Sequence, residues 1–177
     1  MTMHISRGTA SVTTGLVFLF TLAGCGPLNV DSSPDTFPVP EMAASELKGG
    51  QSVAVENHYR EATVVRVAEI GAGVDGDLHQ YTETAITLVE REFRRQGIYI
   101  RSGSKTVTLK ISNVSYNYGW TITYGLNLTA KLGNGETVIV TAENSSPATA
   151  YRAVDGAIMR AVTRLLFDQE FQEYINE

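Results

Sequence analysis

Residues 121–132 read Thr-Ile-Thr-Tyr-Gly-Leu-Asn-Leu-Thr-Ala-Lys-Leu, and their pattern decides the fold. Ile122, Tyr124, Leu126, Leu128, Ala130 and Leu132 fall on one side; Thr121, Thr123, Asn127, Thr129 and Lys131 fall on the other. This period of two predicts a half-buried strand with an apolar inner face and a wet outer one. Gly133-Asn134-Gly135 follows as a tight hairpin turn. Thr137 to Ala142 then returns, with Val138, Val140 and Ala142 inward. Upstream, Val107, Leu109 and Ile111 alternate with Thr108, Lys110 and Ser112, giving another strand with one wet face. The apolar phase shifts at Val114 and Tyr116, which predicts a bulge near Ser112-Asn113.

Such a sheet needs a cover on its apolar face, and two amphipathic helices supply one. The first spans Asp77 to Gln96, with Asp77 as cap, Gln80 three residues on, and Gly97 as the stop. Leu78, Tyr81, Ala85, Leu88, Val89 and Phe93 recur at helical spacing and form its buried face. Arg91, Arg94 and Arg95 match the negative end of the helix dipole. The last helix opens at Ser146-Pro147, with Thr149 as an alternative cap. Its stripe is Tyr151, Val154, Ile158, Ala161, Val162, Leu165 and Leu166, and Phe167, Phe171 and Tyr174 extend the apolar character.

Short strands are expected at Ser52–Val55 and Ile98–Ile100, with a turn at Ser102-Gly103-Ser104. Thr63 to Ile70 has strand propensity but imperfect alternation, which suits a central strand covered on both faces. The expected fold is α+β: a two-layer sandwich whose mainly antiparallel or mixed sheet of four to five strands is covered on one face by two helices.

The N-terminal region has a different character. Arg7 is the only charged side chain before an apolar run, Gly15 to Leu22, and that run ends Leu22-Ala23-Gly24-Cys25. A basic start and an apolar core have the layout of a signal peptide. Residues 10–23 fall short of the roughly 20 that span a bilayer as a helix. Leu-Ala-Gly-Cys resembles the lipobox of bacterial lipoproteins, and Cys25 is the sole Cys of the chain. The resemblance implies cleavage before Cys25, a diacylglycerol on its thiol, and acylation of the new amino end. Several acyl chains hold a protein firmly where one does not. Gly26 stands where Asp marks inner-membrane retention in Gram-negative sorting, so the resemblance implies the periplasmic face of the outer membrane.

The expected organisation is a signal peptide at 1–24, a lipidated tether at 25–50 and a single α/β domain at 51–177. Pro27, Pro34, Pro38 and Pro40 lie among Ser, Asp, Thr and Gly, a composition that does not order itself, so the stretch gives reach. The alternative is that Met42 to Leu47 packs on the domain as a short helical turn. The chain holds 14 basic and 19 acidic residues, and cleavage removes only Arg7 from that balance, for a mature net charge of −6. No basic concentration points to nucleic acid. One Cys excludes a disulfide framework and Cys-based metal or thiol chemistry.

Four constellations invite a chemical reading. Gly71, Gly73 and Gly76 match G-x-G-x-x-G between a strand and a helix. A dinucleotide reading fails on three counts: no ribose-binding acid follows the next strand, no second alternating half exists, and Asp75 and Asp77 would face the phosphates. Asp75, Asp77 and His79 match no recurring metal-ligand spacing, and His58 lies beside Tyr59 and Arg60. Asp168 with Glu170 and Glu90 with Glu92 fall on helices with no cleft argument behind them. No nucleophile elbow and no H-E-x-x-H occurs. No cofactor, no metal and no catalytic residue is therefore assigned. Tyr116, Tyr118, Trp120 and Tyr124 crowd one hairpin region. Trp120 and Tyr124 are expected mostly in the core. Tyr116 and Tyr118, with Trp120 at the tip, are the candidate binding residues.

The order of elements resembles the YajG-like small envelope lipoproteins and, more loosely, the lipoprotein partner of the outer-membrane lipopolysaccharide translocon. The likeness rests on the lipobox, the helix end Phe93-Arg94-Arg95-Gln96-Gly97, the strand Lys105 to Ile111, the turn Gly133-Asn134-Gly135 and the helix end Leu165-Leu166-Phe167-Asp168. It implies an envelope lipoprotein without an active site to carry over. The expected role is a membrane-anchored, non-catalytic binding or assembly module with an envelope protein partner or an amphiphile. The alternative is a lipid or lipopolysaccharide carrier, which requires an apolar pocket open to solvent. An envelope hydrolase would require polar groups converging on His58 or His79.

Overall fold

A computed structural model describes residues 26–33, 46–101 and 105–177; the proposed signal peptide, Cys25, Met42 and the Ser102-Gly103-Ser104 turn lie outside them. In chain order the elements are β1 (Leu28–Asn29), β2 (Ser52–Asn57), β3 (Val64–Ala68), β4 (Val74–Asp77), α1 (Leu78–Arg95), β5 (Tyr99–Ile100), β6 (Lys105–Tyr118), β7 (Ile122–Leu132), β8 (Thr137–Ser146), α2 (Ala150–Leu166) and α3 (Gln169–Asn176). The fold is the expected α+β two-layer arrangement. Its main sheet is mixed and five-stranded, in the order β5-β2-β6-β7-β8.

Strands β6, β7 and β8 form the antiparallel meander that the alternation predicts, and β2 joins parallel to both β5 and β6. Register explains the one-sided core. Leu109 lies opposite Ala130, Ile111 opposite Leu128, and Leu126 opposite Ala142. All six are buried, so their side chains share the face that the helices cover. Tyr81, Ala85, Val89 and Phe93 of α1 and Val154, Ile158, Ala161 and Leu165 of α2 are fully buried against it. Thr108, Lys110, Asn127, Thr129 and Thr141 take the alternate positions on the wet face.

The Asp77 cap and the Gly97 stop hold at α1, while Gln80 accepts from the Ser32 N–H at 3.3 Å and is not seen closing a capping box. Asp77 accepts a hydrogen bond from the His79 backbone N–H, and Gly97 takes φ +76°, a left-handed position suited to Gly. The bulge is also present: the β6–β7 register shifts between Ser112 and Ser115, and Asn113 has φ +51°.

Several expectations are corrected. Thr63 to Ile70 is not a covered central strand; β3 is an edge strand, and Val64 is 62% exposed. The glycine segment expected between a strand and a helix itself contributes a strand. Val74–Asp77 pairs antiparallel with β3 in a second, three-stranded sheet of order β1-β4-β3. Ser146-Pro147 does not open α2, because the β7–β8 ladder runs on to the Ile122–Ser146 pair. Ser146 instead accepts from the N–H groups of Ala148 and Thr149 through its hydroxyl oxygen, and Thr149, the alternative cap, precedes α2 without a side-chain capping bond. Apolar character beyond Phe167 belongs to a separate helix. Asp168 caps α3, Phe171 stacks on Phe93 with centroids 6.3 Å apart, and Tyr174 reaches the backbone of Thr106 and Gly133.

Parts of the stretch assigned to the tether pack on the domain. Leu28–Asn29 pairs parallel with β4, and Val30 and Ser32 are buried. Nearer the domain, Leu47 is buried, Lys48 N–H donates to Asn176 at 2.7 Å, and Gly50 N–H donates to Gly97. The packed body thus includes residues on both sides of the intervening Pro-rich segment.

Candidate functional site

The bulge in β6 creates the site. Up to Ile111, odd-numbered residues face the helices; past the register shift, Tyr116 lies opposite Tyr124 and Tyr118 opposite Ile122. Tyr124 is fully buried, so the even-numbered residues have taken over the covered face. Tyr116, Tyr118 and Ile122 continue the core face beside the start of α2, and a cleft opens there.

The cleft has a volume of about 630 Å³, within the range of small-ligand sites, about 300–1,000 Å³. Three elements wall it: Leu28, Asn29, Val30, Asp31 and Ser33 of the N-terminal segment; Tyr116, Tyr118 and Ile122 of the hairpin; and Ala148, Thr149, Ala150, Tyr151 and Asp155 at the start of α2. The wall is mainly apolar, and several of its large side chains reach solvent: Leu28, Tyr118 and Tyr151 are all exposed. Tyr151 therefore leaves the core stripe assigned to it and lines the cleft. It is the second residue of α2 and follows Thr149 and Ala150 along the cleft wall.

The polar contacts hold the walls in place. Asp155, buried in α2, accepts from the Ser32 hydroxyl at 2.6 Å and from the Ser33 N–H at 3.1 Å. Tyr81 donates its phenol to the Val30 carbonyl at 2.7 Å. The Tyr116 ring meets Tyr124 edge-on, with centroids 5.1 Å apart. Burial, and then the neighbouring Tyr118, raise the Tyr116 phenol above its ordinary 10.0. Desolvation raises Tyr81 and Tyr124 further. With their pKa values raised, these phenols keep their protons and stay neutral at physiological pH.

Of the candidate binding residues, Tyr116 and Tyr118 line the cleft and Trp120 does not. Trp120 occupies the turn between β6 and β7 with a relative exposure of 103%, which corrects the expectation that it is mostly core. Tyr124 is in the core as expected. Sequence reasoning missed the whole N-terminal wall. Leu28 and Val30 alternate for too few residues to register as a strand.

The other constellations do not converge. Asp77 accepts from the N–H groups of Thr63 and His79, while Asp75 pairs with Arg66, which also reaches Glu69 at 3.2 Å. His79 lies 3.9 Å from Glu83, and His58 packs edge-on against Tyr59. Glu90 pairs with Arg94, Glu92 with Arg95 and Gln96, and Asp168 caps α3. Among the described residues, no three His, Cys, Asp or Glu side chains gather where they would hold a metal ion. The glycine motif has a steric basis: Gly71 and Gly73 take positive φ in the β3–β4 turn, and a Cβ on Gly76 would fall 2.5 Å from the Tyr81 phenol oxygen. Among the described residues, no helix is long and apolar enough to cross a membrane.

No protein-family model matches the chain, and no curated protein matches it in sequence. Several solved structures resemble it at low identity, three of them as follows. One is a Xanthomonas campestris protein of the DUF330 family, 15% identical, covering 85% of this chain and 92% of that one with a TM-score of 0.48. Another is a minor lipoprotein from Acinetobacter baumannii, 11% identical, covering 66% and 92% with a TM-score of 0.41. The third is a PelC dodecamer from Paraburkholderia phytofirmans, 14% identical, covering 70% and 91% with a TM-score of 0.36.

Proposed function

We propose that this chain is an envelope lipoprotein, anchored through Cys25 at the periplasmic face of the outer membrane, that works by non-covalent binding in the cleft between Leu28, Tyr118 and Tyr151. The cleft is the observation that carries the reading: a large apolar concavity with aromatic walls and neutral phenols, built from both ends of the domain. Apolar walls with a few fixed polar groups suit binding and orientation of a partner segment. The favoured occupant is an apolar segment of an envelope protein, which makes the domain an assembly module. A carrier for an amphiphile is the second reading, supported by the size of the cleft and its opening to solvent.

Crosslinking in cells tests the reading. Tyr118 is 63% exposed, so a photoreactive residue in its place leaves the core intact. A discrete protein adduct that disappears when Ala148→Trp fills the cleft supports assembly. A lipid adduct with the same sensitivity supports the carrier. The absence of any adduct that Ala148→Trp abolishes removes the cleft from consideration.

A further inference from the structure

We infer that the hairpin tip carrying Tyr118 and Trp120 seats in the headgroup layer of the membrane to which the chain is anchored. The inference rests on the Cys25 anchor proposed above and adds an orientation to it. Two independent observations lead there.

The first is distance along the chain. Leu28 is held on β4: its N–H donates to the Gly73 carbonyl at 2.9 Å, and Val30 N–H donates to Asp75 at 3.1 Å. Only three residue steps separate Leu28 from Cys25. At roughly 3.5 Å per extended residue this allows a stand-off of about 10 Å, not the long reach of a free tether over residues 25–50. Leu28 and Tyr118 line the same cleft, so a lipid on Cys25 keeps this end of the domain at the bilayer surface.

The second is the chemistry of that end. Trp120 is fully exposed, with Tyr118 beside it, and no Asp, Glu, Lys, Arg or His occurs between Lys110 and Lys131. Asn144, Ser145 and Ser146, which pair with Tyr124, Thr123 and Ile122 on β8, are also uncharged. The strand residues of this tip therefore carry no charge into the headgroup layer, the nearest acid of the cleft wall being exposed Asp31 on the N-terminal segment, and Trp and Tyr rings favour that layer because an apolar ring body and a polar edge are both satisfied there. A fully solvated Trp on an otherwise well-packed domain has no intramolecular explanation among the described residues.

Trp120 is the only Trp in the chain, so its fluorescence reports on the tip alone. The mature lipidated protein is placed in phosphatidylcholine vesicles and compared with the Cys25→Ser protein in the same suspension. The expected result is a blue-shifted emission in the lipidated form, a severalfold loss of quenching by aqueous iodide, and strong quenching by lipids brominated near the headgroup. Vesicle flotation separates the two claims. If the lipidated form floats while Trp120 remains open to iodide and untouched by bromolipid, the orientation is overturned and the anchor stands. If the lipidated form does not float, both fail.

Discussion

Ser32 donates its hydroxyl hydrogen to the Asp155 carboxylate at 2.6 Å, tying the N-terminal segment to α2 across 123 positions of sequence. The contact is buried, and hydrogen bonds to charged groups in such places contribute about 1.5–3 kcal/mol. Ser32→Ala should therefore free residues 28–33 without unfolding the domain. Hydrogen exchange reads this directly: the Leu28 and Val30 amides, which donate to Gly73 and Asp75, should exchange at least tenfold faster in the variant. A segment that is a free tether would show no protection in either form, and that result would remove the N-terminal wall of the cleft.

The tyrosines make stability sensitive to alkali. Desolvation raises the Tyr81 and Tyr124 phenols above their ordinary 10.0 in the folded chain. The unfolded chain then releases their protons first, so the stabilisation is complete below about pH 10 and declines as pH rises towards the folded values. Chemical denaturation at pH 8 and pH 11 should show a marked loss at the higher pH. Tyr81→Phe should lower stability at pH 8 by about 1 kcal/mol, because the Val30 carbonyl loses its donor, and should flatten the alkaline decline. An unchanged slope would contradict the burial of this phenol.

Gly76 tests whether the glycine motif is steric. Its missing side chain makes room for Tyr81, whose phenol oxygen and ring would lie 2.5 and 2.9 Å from a Cβ. Gly76→Ala should cost about 1–3 kcal/mol, the usual range for overpacking. Gly119 is the control, since a Cβ there meets nothing within 4 Å. Gly119→Ala should leave Tm unchanged, and equal effects at the two positions would reject the steric account.

What could be read from sequence was whatever a local period or cap encodes. The strict alternation of 121–132, the stripe of α1 with Asp77 and Gly97 at its ends, and the phase shift at Val114 each involve neighbours in sequence, and each appears in the structure. What could not be read depends on contacts between distant segments. Val74-Asp75-Gly76-Asp77 has little strand propensity, yet it is a strand because β1 and β3 pair with it on both sides. Ser146-Pro147 has a helix-opening signature, yet pairing with Ile122 keeps Ser146 in β8. Tyr116 and Tyr118 were legible as candidates, but the cleft they line was not, because Leu28 reaches it from a segment whose composition suggests a free linker.

The anchor makes the last prediction. Leu22-Ala23-Gly24-Cys25 resembles a lipobox and holds the one thiol of the whole chain, so on the proposed reading palmitate supplied to cells should label the native protein and not Cys25→Ser. Equal label in both would end the lipoprotein reading. Sorting is tested at the next residue. Gly26 is exposed, and a Cβ there meets nothing within 4 Å, so Gly26→Asp changes the address without touching the fold. With lipidation intact, Gly26→Asp should move the protein from the outer-membrane fraction to the inner-membrane fraction on a density gradient, with Tm unchanged. Labelled protein that stays in the inner membrane with Gly26 present would keep the anchor and overturn the outer-membrane assignment. The orientation of the Trp120 tip would then be measured against an inner-membrane lipid composition.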